Sequence, residues 1–76
     1  MNFDYSKLLG KIKEVFDTQG KFAIAMGVGL SSLNQKLNNK AEFSQNEMKR
    51  ACELLGVNEN EIPVYFFTLE VQKTEQ

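Results

Sequence analysis

The sequence of 76 residues contains no histidine, no tryptophan, one cysteine and one proline. Without histidine, the chain cannot form a nucleophile–histidine–carboxylate triad or use imidazole in acid–base catalysis. A single cysteine excludes an internal disulfide, and no Cys/His set is present to bind a structural metal ion. No phosphate-binding glycine loop is present either. The sequence therefore predicts that the protein is not an enzyme and binds no metal, cofactor or small-molecule substrate.

Long apolar runs are also absent. No stretch approaches the roughly 20 apolar residues of a membrane-spanning helix, and no signal-peptide pattern opens the chain. We therefore expect a cytoplasmic protein without a membrane partner. The length fits a single domain over residues 1–76, with a core over 4–67 and a tail over 68–76.

Residues 19–37 have the pattern of two short helices joined by a tight turn. Phe22, Ala23 and Met26 share one face of the first helix. Gly27 is placed to end that helix, because glycine adopts the left-handed conformation without penalty. A small residue at the helix crossing followed by a glycine turn predicts a helix-turn-helix. The alternative is a helical bundle that does not bind DNA.

Further helices are predicted on both sides of this pair. Asp4 is the predicted N-cap of the first helix. The predicted core residues of that helix are Leu8, Leu9, Ile12 and Val15. A capping box formed by Ser44 and Glu47 opens the fourth helix, Gly56 closes it, and Pro63 lies in the first turn of a short fifth helix. The fold class is therefore all-α, a compact five-helix bundle that contains the helix-turn-helix.

Charge is distributed unevenly although the net charge is only −1. Residues 7–40, which include the helix-turn-helix, carry six lysines against two acidic residues. Residues 41–76 carry three cations against seven glutamates. This asymmetry favours a DNA-facing surface with an acidic far side over a uniformly solvated shell.

The outward side of the second helix of the pair, over residues 30–37, carries amides and hydroxyls in place of the usual Glu and Lys. Such groups both donate and accept hydrogen bonds, as the reading of base edges requires, and an apolar residue can contact a thymine methyl group. The predicted base-reading residues are Leu30, Ser31, Ser32, Asn34 and Gln35. The predicted phosphate contacts are Gln19, Lys21, Lys36, Asn38 and Lys40. A neutral, solvated helix face is the alternative interpretation.

The stretch 64–71 is unusually apolar for the end of a small domain, and its apolar residues alternate as in a strand. We expect a helix to about Phe67 and then a short extended segment. Two interpretations remain open, packing into the core of the monomer and contact with a partner or a second copy. The predicted partner contacts are Tyr65, Phe67 and Leu69.

The sequence resembles the Cro/C1-type helix-turn-helix family of phage and bacterial regulators. The positions that carry this resemblance are Gln19, Ala23, Gly27, Val28 and Leu33. The stretches 37–45 and 62–67 are similar to small Cro-like, modulator-of-repression proteins of phages of Gram-positive bacteria. Gly29 departs from the Ser or Thr that is frequent there, so the third helix lacks its usual side-chain cap. The resemblance implies a lambda-repressor-like DNA-binding fold with the third helix in the major groove.

Two functions follow from the resemblance. The main hypothesis is a sequence-specific transcriptional regulator of Cro or repressor type that binds double-stranded DNA in the bacterial host cell. Such proteins usually bind paired half-sites as homodimers. The alternative is a phage modulator or antirepressor that acts by binding another repressor protein.

Overall fold

The structure, a computed structural model, describes residues 2–71. Its α-helices are α1 (Ser6–Phe16), α2 (Gln19–Met26), α3 (Leu30–Leu37), α4 (Gln45–Leu55) and α5 (Ile62–Phe66). A 3₁₀ turn at Glu59–Glu61 precedes α5, and residues 2–71 contain no multi-residue strand. The predicted all-α bundle of five helices is confirmed. The helices α1, α2, α4 and α5 surround the core, and α3 packs chiefly on α2.

The ends of α2 and α4 follow their local capping signals. Thr18 Oγ1 accepts a backbone N–H of the first turn of α2 at 3.1 Å, and Gly27 ends this helix with a φ of 77°. Ser44 and Glu47 form both hydrogen bonds of the predicted capping box, at 3.1 and 2.8 Å. Gly29 precedes α3 without a side-chain cap. These ends were predictable because each depends on residues within one turn of the boundary.

The beginning of α1 differs from the prediction by one residue. Tyr5 is the N-cap and makes no side-chain capping bond, and α1 begins at Ser6. The Asp4 backbone N–H is instead bonded to Thr68 O at 2.6 Å, so Asp4 belongs to an extended segment. Its carboxylate accepts the Ser6 N–H at 2.8 Å and the Ser6 hydroxyl, and these bonds hold the pKa of Asp4 below its ordinary value.

The core of α1 follows a stripe of residues four apart. Leu8 and Ile12 are fully buried, and Phe16 packs on Phe22 of α2 with ring centroids 5.4 Å apart. Leu9 is half-buried. Val15 is exposed, so its assignment to the core is wrong, because Phe16 takes the core-facing place in the last turn. The other buried residues of the helix-turn-helix are Ala23, Met26 and Leu33.

The two ends of the described chain are paired. Residues 2–4 and 68–70 run antiparallel, with Phe3 opposite Leu69 and backbone hydrogen bonds of 2.6 and 3.1 Å. The last helix ends at Phe66, so the predicted short extended segment after α5 is confirmed. The division into a core over 4–67 and a tail over 68–76 stays a prediction, and residues 72–76 of that tail lie outside the described residues. Over residues 2–71, no helix has the length and apolar character needed to cross a lipid bilayer.

Candidate interaction surfaces

The predicted base-reading residues lie on one exposed side of α3. Ser31, Ser32 and Gln35 are exposed, and their side chains make no hydrogen bond with another described residue. Leu30 is also exposed, at the first position of the helix, whereas Asn34 is half-buried. We call this side, formed by Leu30, Ser31, Ser32 and Gln35, the α3 face. It is uncharged, and it is polar except at Leu30.

Lys36 does not lie on the exposed side, contrary to the prediction. Its Nζ donates a hydrogen bond to Glu47 Oε2, and its side chain is only 15% exposed. The carboxylate of Glu47 is held in place because its other oxygen closes the capping box at the start of α4. Lys36 therefore joins α3 to α4, and a phosphate would compete with Glu47 for its largely buried ammonium group.

The ion pair also determines the protonation of Glu47. Partial burial acts to raise the pKa of this carboxyl, but hydrogen bonds from Lys36 and from the Ser44 backbone outweigh it, and the net shift is downward. Glu47 is consequently ionised at neutral pH. The attraction between the two charges is stronger here than at an open surface, since both side chains are largely withdrawn from water.

The other predicted phosphate contacts differ in their exposure and in their hydrogen-bond or ion-pair partners. Asn38 donates its side-chain N–H to Asn34 O at 2.8 Å and so closes the C-terminal end of α3. Gln19 is half-buried at the first position of α2. Lys21 and Lys40 are exposed, and Lys21 lies 3.8 Å from the Asp17 carboxylate. The phosphate contacts at these residues stay predictions.

A second surface is formed by aromatic side chains near the paired chain ends. A groove of about 420 Å³ lies between the N-terminal segment, the α3–α4 loop and the end of α5. Its aromatic walls are Phe3, Tyr5, Phe43, Phe66 and Phe67. We call this feature the aromatic groove. The loop residues Lys40 and Glu42 also line it and bring one charge of each sign.

The walls of the aromatic groove are packed edge to face. Ring centroids lie 5.0 Å apart for Phe43 and Phe66, 5.5 Å for Tyr5 and Phe43, and 5.6 Å for Phe3 and Phe67. The ring planes of these pairs are inclined by 76°, 76° and 82°. This is a favoured geometry for aromatic pairs, so each ring restrains its neighbour and the groove is preformed.

The predicted partner contacts lie beside this groove. Phe67 and Leu69 are each 48% exposed, and Tyr65 is half-buried against the core. Val71, which was not predicted as a contact, is 87% exposed. We call Phe67, Leu69 and Val71 the tail surface. The structure thus brings two of the three predicted residues together at the exterior and turns the third towards the core.

Asn39 is a residue whose role sequence reasoning missed. Its side-chain amide accepts the Phe3 N–H at 2.9 Å and donates to Phe3 O at 3.0 Å. Its backbone has a φ of 63°, which asparagine tolerates better than most residues. The sequence shows an asparagine in a turn, but no sequence signal identifies a partner so distant along the chain.

Cys52 carries the only thiol of the chain and lies on the core-facing side of α4. It is almost fully buried, and burial is the main cause that raises its pKa, with Glu59 and Glu61 acting in the same direction. These surroundings are those of a structural thiol that is not readily ionised. Within residues 2–71, no group of three or more acidic or cysteine side chains is arranged to hold a metal ion.

Comparison with known proteins identifies a family and a similar solved structure. The model of the family described as "Protein of unknown function (DUF739)" matches residues 1–69. The chain is also similar to the solution structure of the modulator of repression (MOR) of the temperate bacteriophage TP901-1 from Lactococcus lactis. The two chains are 44% identical with a TM-score of 0.79, over 95% of this chain and 97% of that chain. No curated protein matches the sequence. Neither match assigns the chain to the Cro/C1-type family that its helix-turn-helix resembles.

Proposed function

The chain belongs to the DUF739 family, and we propose that it is a phage regulatory protein that modulates repression by binding a repressor protein. Its similarity to a phage modulator of repression over nearly the whole of both chains supports this function. Such a regulator would act inside the bacterial host cell and would need no catalytic residue.

The observation that carries this function is the exposed tail surface. Phe67, Leu69 and Val71 leave large apolar side chains in water at the end of a small domain. Burying apolar area contributes roughly 25 cal/mol per Å², so covering this surface with a partner would be favourable. Contiguous exposed apolar side chains are typical of surfaces that contact other proteins.

The paired lysine and the exposed apolar residue of α3 favour a protein over DNA as the main binding partner. DNA affinity depends largely on cations that neutralise phosphates. Lys36 is the cation within α3, and its ammonium group is bound to Glu47. Leu30, an apolar side chain at the first position of α3, is 46% exposed in addition. A surface with few free cations and an exposed apolar side chain is poorly suited to a polyanion.

The test uses the repressor encoded beside this chain's gene, titrated calorimetrically with the wild type and two matched variants. We expect the wild type to bind and Phe67→Ala to weaken binding at least about tenfold, the effect of removing a central aromatic contact. Ile24→Ala removes an equally apolar, exposed side chain from α2 and is expected to leave the affinity within about twofold. Absence of binding by the wild type would show that the function is wrong.

A second candidate function is sequence-specific DNA binding of Cro or repressor type, as a homodimer. It is favoured by the free hydroxyl and amide groups of Ser31, Ser32 and Gln35, which could bond to base edges. Leu30 and Asn34 would complete the base contacts. The phosphate contacts would be Gln19, Lys21, Lys36, Asn38 and Lys40, with the Lys36 ion pair opened on binding.

The DNA candidate has its own pair of variants. Gln35→Ala should lower affinity for one promoter site only, whereas Lys40→Ala should weaken all DNA alike and reduce the dependence of affinity on salt. The measurement is a salt series of binding to promoter DNA and to unrelated DNA of equal length. Equal affinity of the wild type for both DNAs would contradict sequence-specific reading.

A further inference from the structure

We infer that the aromatic groove receives one large apolar side chain of the bound repressor, from a peptide segment that also carries an acidic residue opposite Lys40. This inference rests on the proposed function, because it states what kind of segment the repressor presents beside the tail surface. It specifies where the repressor is anchored, which is the aromatic groove, and which charge the repressor carries there, which is an acidic residue opposite Lys40. The exposure of the tail surface alone defines neither.

The dimensions and rigidity of the groove fit a short peptide segment that inserts one large side chain. Its volume of about 420 Å³ lies near the lower limit of typical ligand pockets, which range over roughly 300–1,000 Å³. Phe43 and Phe66 form the inner part of the wall and are buried, while Phe67 forms the outer part and is half exposed. Because the edge-to-face pairs hold these rings in place, little side-chain freedom remains to be lost when the groove is filled.

The Tyr5 hydroxyl is the second observation that indicates a ligand. Tyr5 is only 7% exposed and lines the groove, yet its hydroxyl makes no hydrogen bond with any described residue. No fully buried side-chain oxygen or nitrogen of residues 2–71 lacks a partner, so the hydroxyl of Tyr5, a residue that lines the groove, is not fully enclosed and is open to a ligand atom or to water. A buried tyrosine usually has a hydrogen-bond partner for its hydroxyl. A backbone carbonyl of the inserted segment can accept this bond.

The two charged residues that line the groove determine the orientation of the bound repressor segment. Lys40 and Glu42 both line the groove, and neither forms a salt bridge with a described residue. Burial raises the pKa of Tyr5, and the nearby Glu42 carboxylate raises it further, so Glu42 lies on the Tyr5 side. A partner carboxylate is repelled there and attracted to Lys40. The segment therefore places its acidic residue at Lys40 and a basic residue or free N–H at Glu42.

The experiment measures repressor affinity for variants that alter the groove but not the core. Tyr5→Phe removes only the hydroxyl and is expected to weaken binding about three- to tenfold, the value of one hydrogen bond. Lys40→Glu is expected to weaken binding about tenfold or more, because a favourable charge contact becomes repulsive. Lys49→Glu, which makes the same charge change at an exposed position of α4, is the control and should change affinity less than about twofold.

A set of overlapping synthetic peptides that covers the repressor sequence provides a second measurement. The peptide that binds most tightly should contain Leu, Ile, Met, Phe or Trp with Asp or Glu nearby, and Tyr5→Phe should weaken it. If the wild type binds the repressor but Tyr5→Phe and Lys40→Glu bind equally well, the groove inference is wrong and the proposed function stands. If these variants change only self-association, measured by light scattering, the occupant is a second copy and the inference is again overturned. If the wild type does not bind the repressor, both fail.

Discussion

The side-chain amide of Asn39 bonds to both backbone polar groups of Phe3, at 2.9 Å from the Phe3 nitrogen and 3.0 Å from the Phe3 oxygen. Asn39 thus occupies the place of a neighbouring strand on one edge of the segment 2–4, whose other edge pairs with residues 68–70. This contact joins the α3–α4 loop to the N-terminal segment. Because both line the aromatic groove, Asn39 fixes the distance between two of its walls.

Replacement of Asn39 should therefore destabilise the fold. Asn39→Gly removes two hydrogen bonds but keeps the positive φ accessible, and we expect a loss of about 1–3 kcal/mol in the free energy of unfolding. Asn39→Ala should cost about 1 kcal/mol more, because alanine is strained at this φ. The measurement is urea-induced unfolding. A glycine variant as stable as the wild type would show that the two bonds contribute nothing.

Replacement of Asp17 by glycine is predicted to increase the stability of the fold. It follows α1 with a φ of 73° and a ψ of −45°, a conformation that is rare and strained for a residue with a Cβ atom. Asp17→Gly should raise the free energy of unfolding by about 1 kcal/mol. The exposed contact with Lys21, at 3.8 Å, is worth little by comparison. Asp17→Ala keeps the strain and loses the carboxylate, so thermal unfolding should show no gain for this control.

The Lys36–Glu47 ion pair predicts a specific dependence of stability on pH. The pKa of Glu47 is lower in the folded protein than its ordinary value of 4.5. The resulting stabilisation is therefore complete above that ordinary value and is lost as the pH falls through the lowered pKa. Lys36→Gln should reduce stability at neutral pH by about 1 kcal/mol and flatten this part of the acid profile.

The profile is measured by urea unfolding at a series of pH values from neutral to strongly acidic. Lys49→Gln is the matched control, since it removes an exposed lysine of α4 that has no salt bridge with a described residue. The Lys49→Gln profile should be parallel to that of the wild type. Parallel profiles for Lys36→Gln and the wild type would contradict the role of the ion pair.

Cys52 should be protected from thiol reagents in the folded protein. Burial raises the pKa of its thiol and blocks access, so the reactive thiolate is rare and enclosed. We expect native Cys52 to react with a chromogenic disulfide reagent at least about a hundredfold more slowly than the urea-unfolded chain. Equal rates in the two states would show that α4 opens readily at this position.

Sequence reasoning succeeded where one turn of chain contains the whole signal. The caps at Thr18 and Ser44 and the left-handed Gly27 need only their near neighbours. It was wrong for Val15, and it did not foresee the ion pair of Lys36 with Glu47, because exposure and pairing depend on how helices distant in the sequence meet. The apolar pattern of α1 admits more than one core-facing stripe, and only the packing of α1 on α2 decides between them.

The residues of the candidate site also differ in whether the sequence could predict them. The exposure of Phe67 and Leu69 could be predicted from an apolar excess that a small domain cannot bury, while their contact with a partner stays a prediction. The aromatic groove could not be predicted, because its walls come from the N-terminal segment, the α3–α4 loop and α5. Tyr5 illustrates the difference, since nothing in the sequence indicates that this buried residue lines a groove.

The most direct test measures the molar mass of the chain by light scattering after size exclusion, once mixed with the adjacent repressor and once with the adjacent promoter DNA. We predict a complex with the repressor that Phe67→Ala disrupts and Ile24→Ala preserves, and no stable complex with the DNA alone at physiological salt. A sequence-specific complex with DNA, weakened by salt, together with no complex with the repressor, would contradict this account and establish the DNA-binding function in its place.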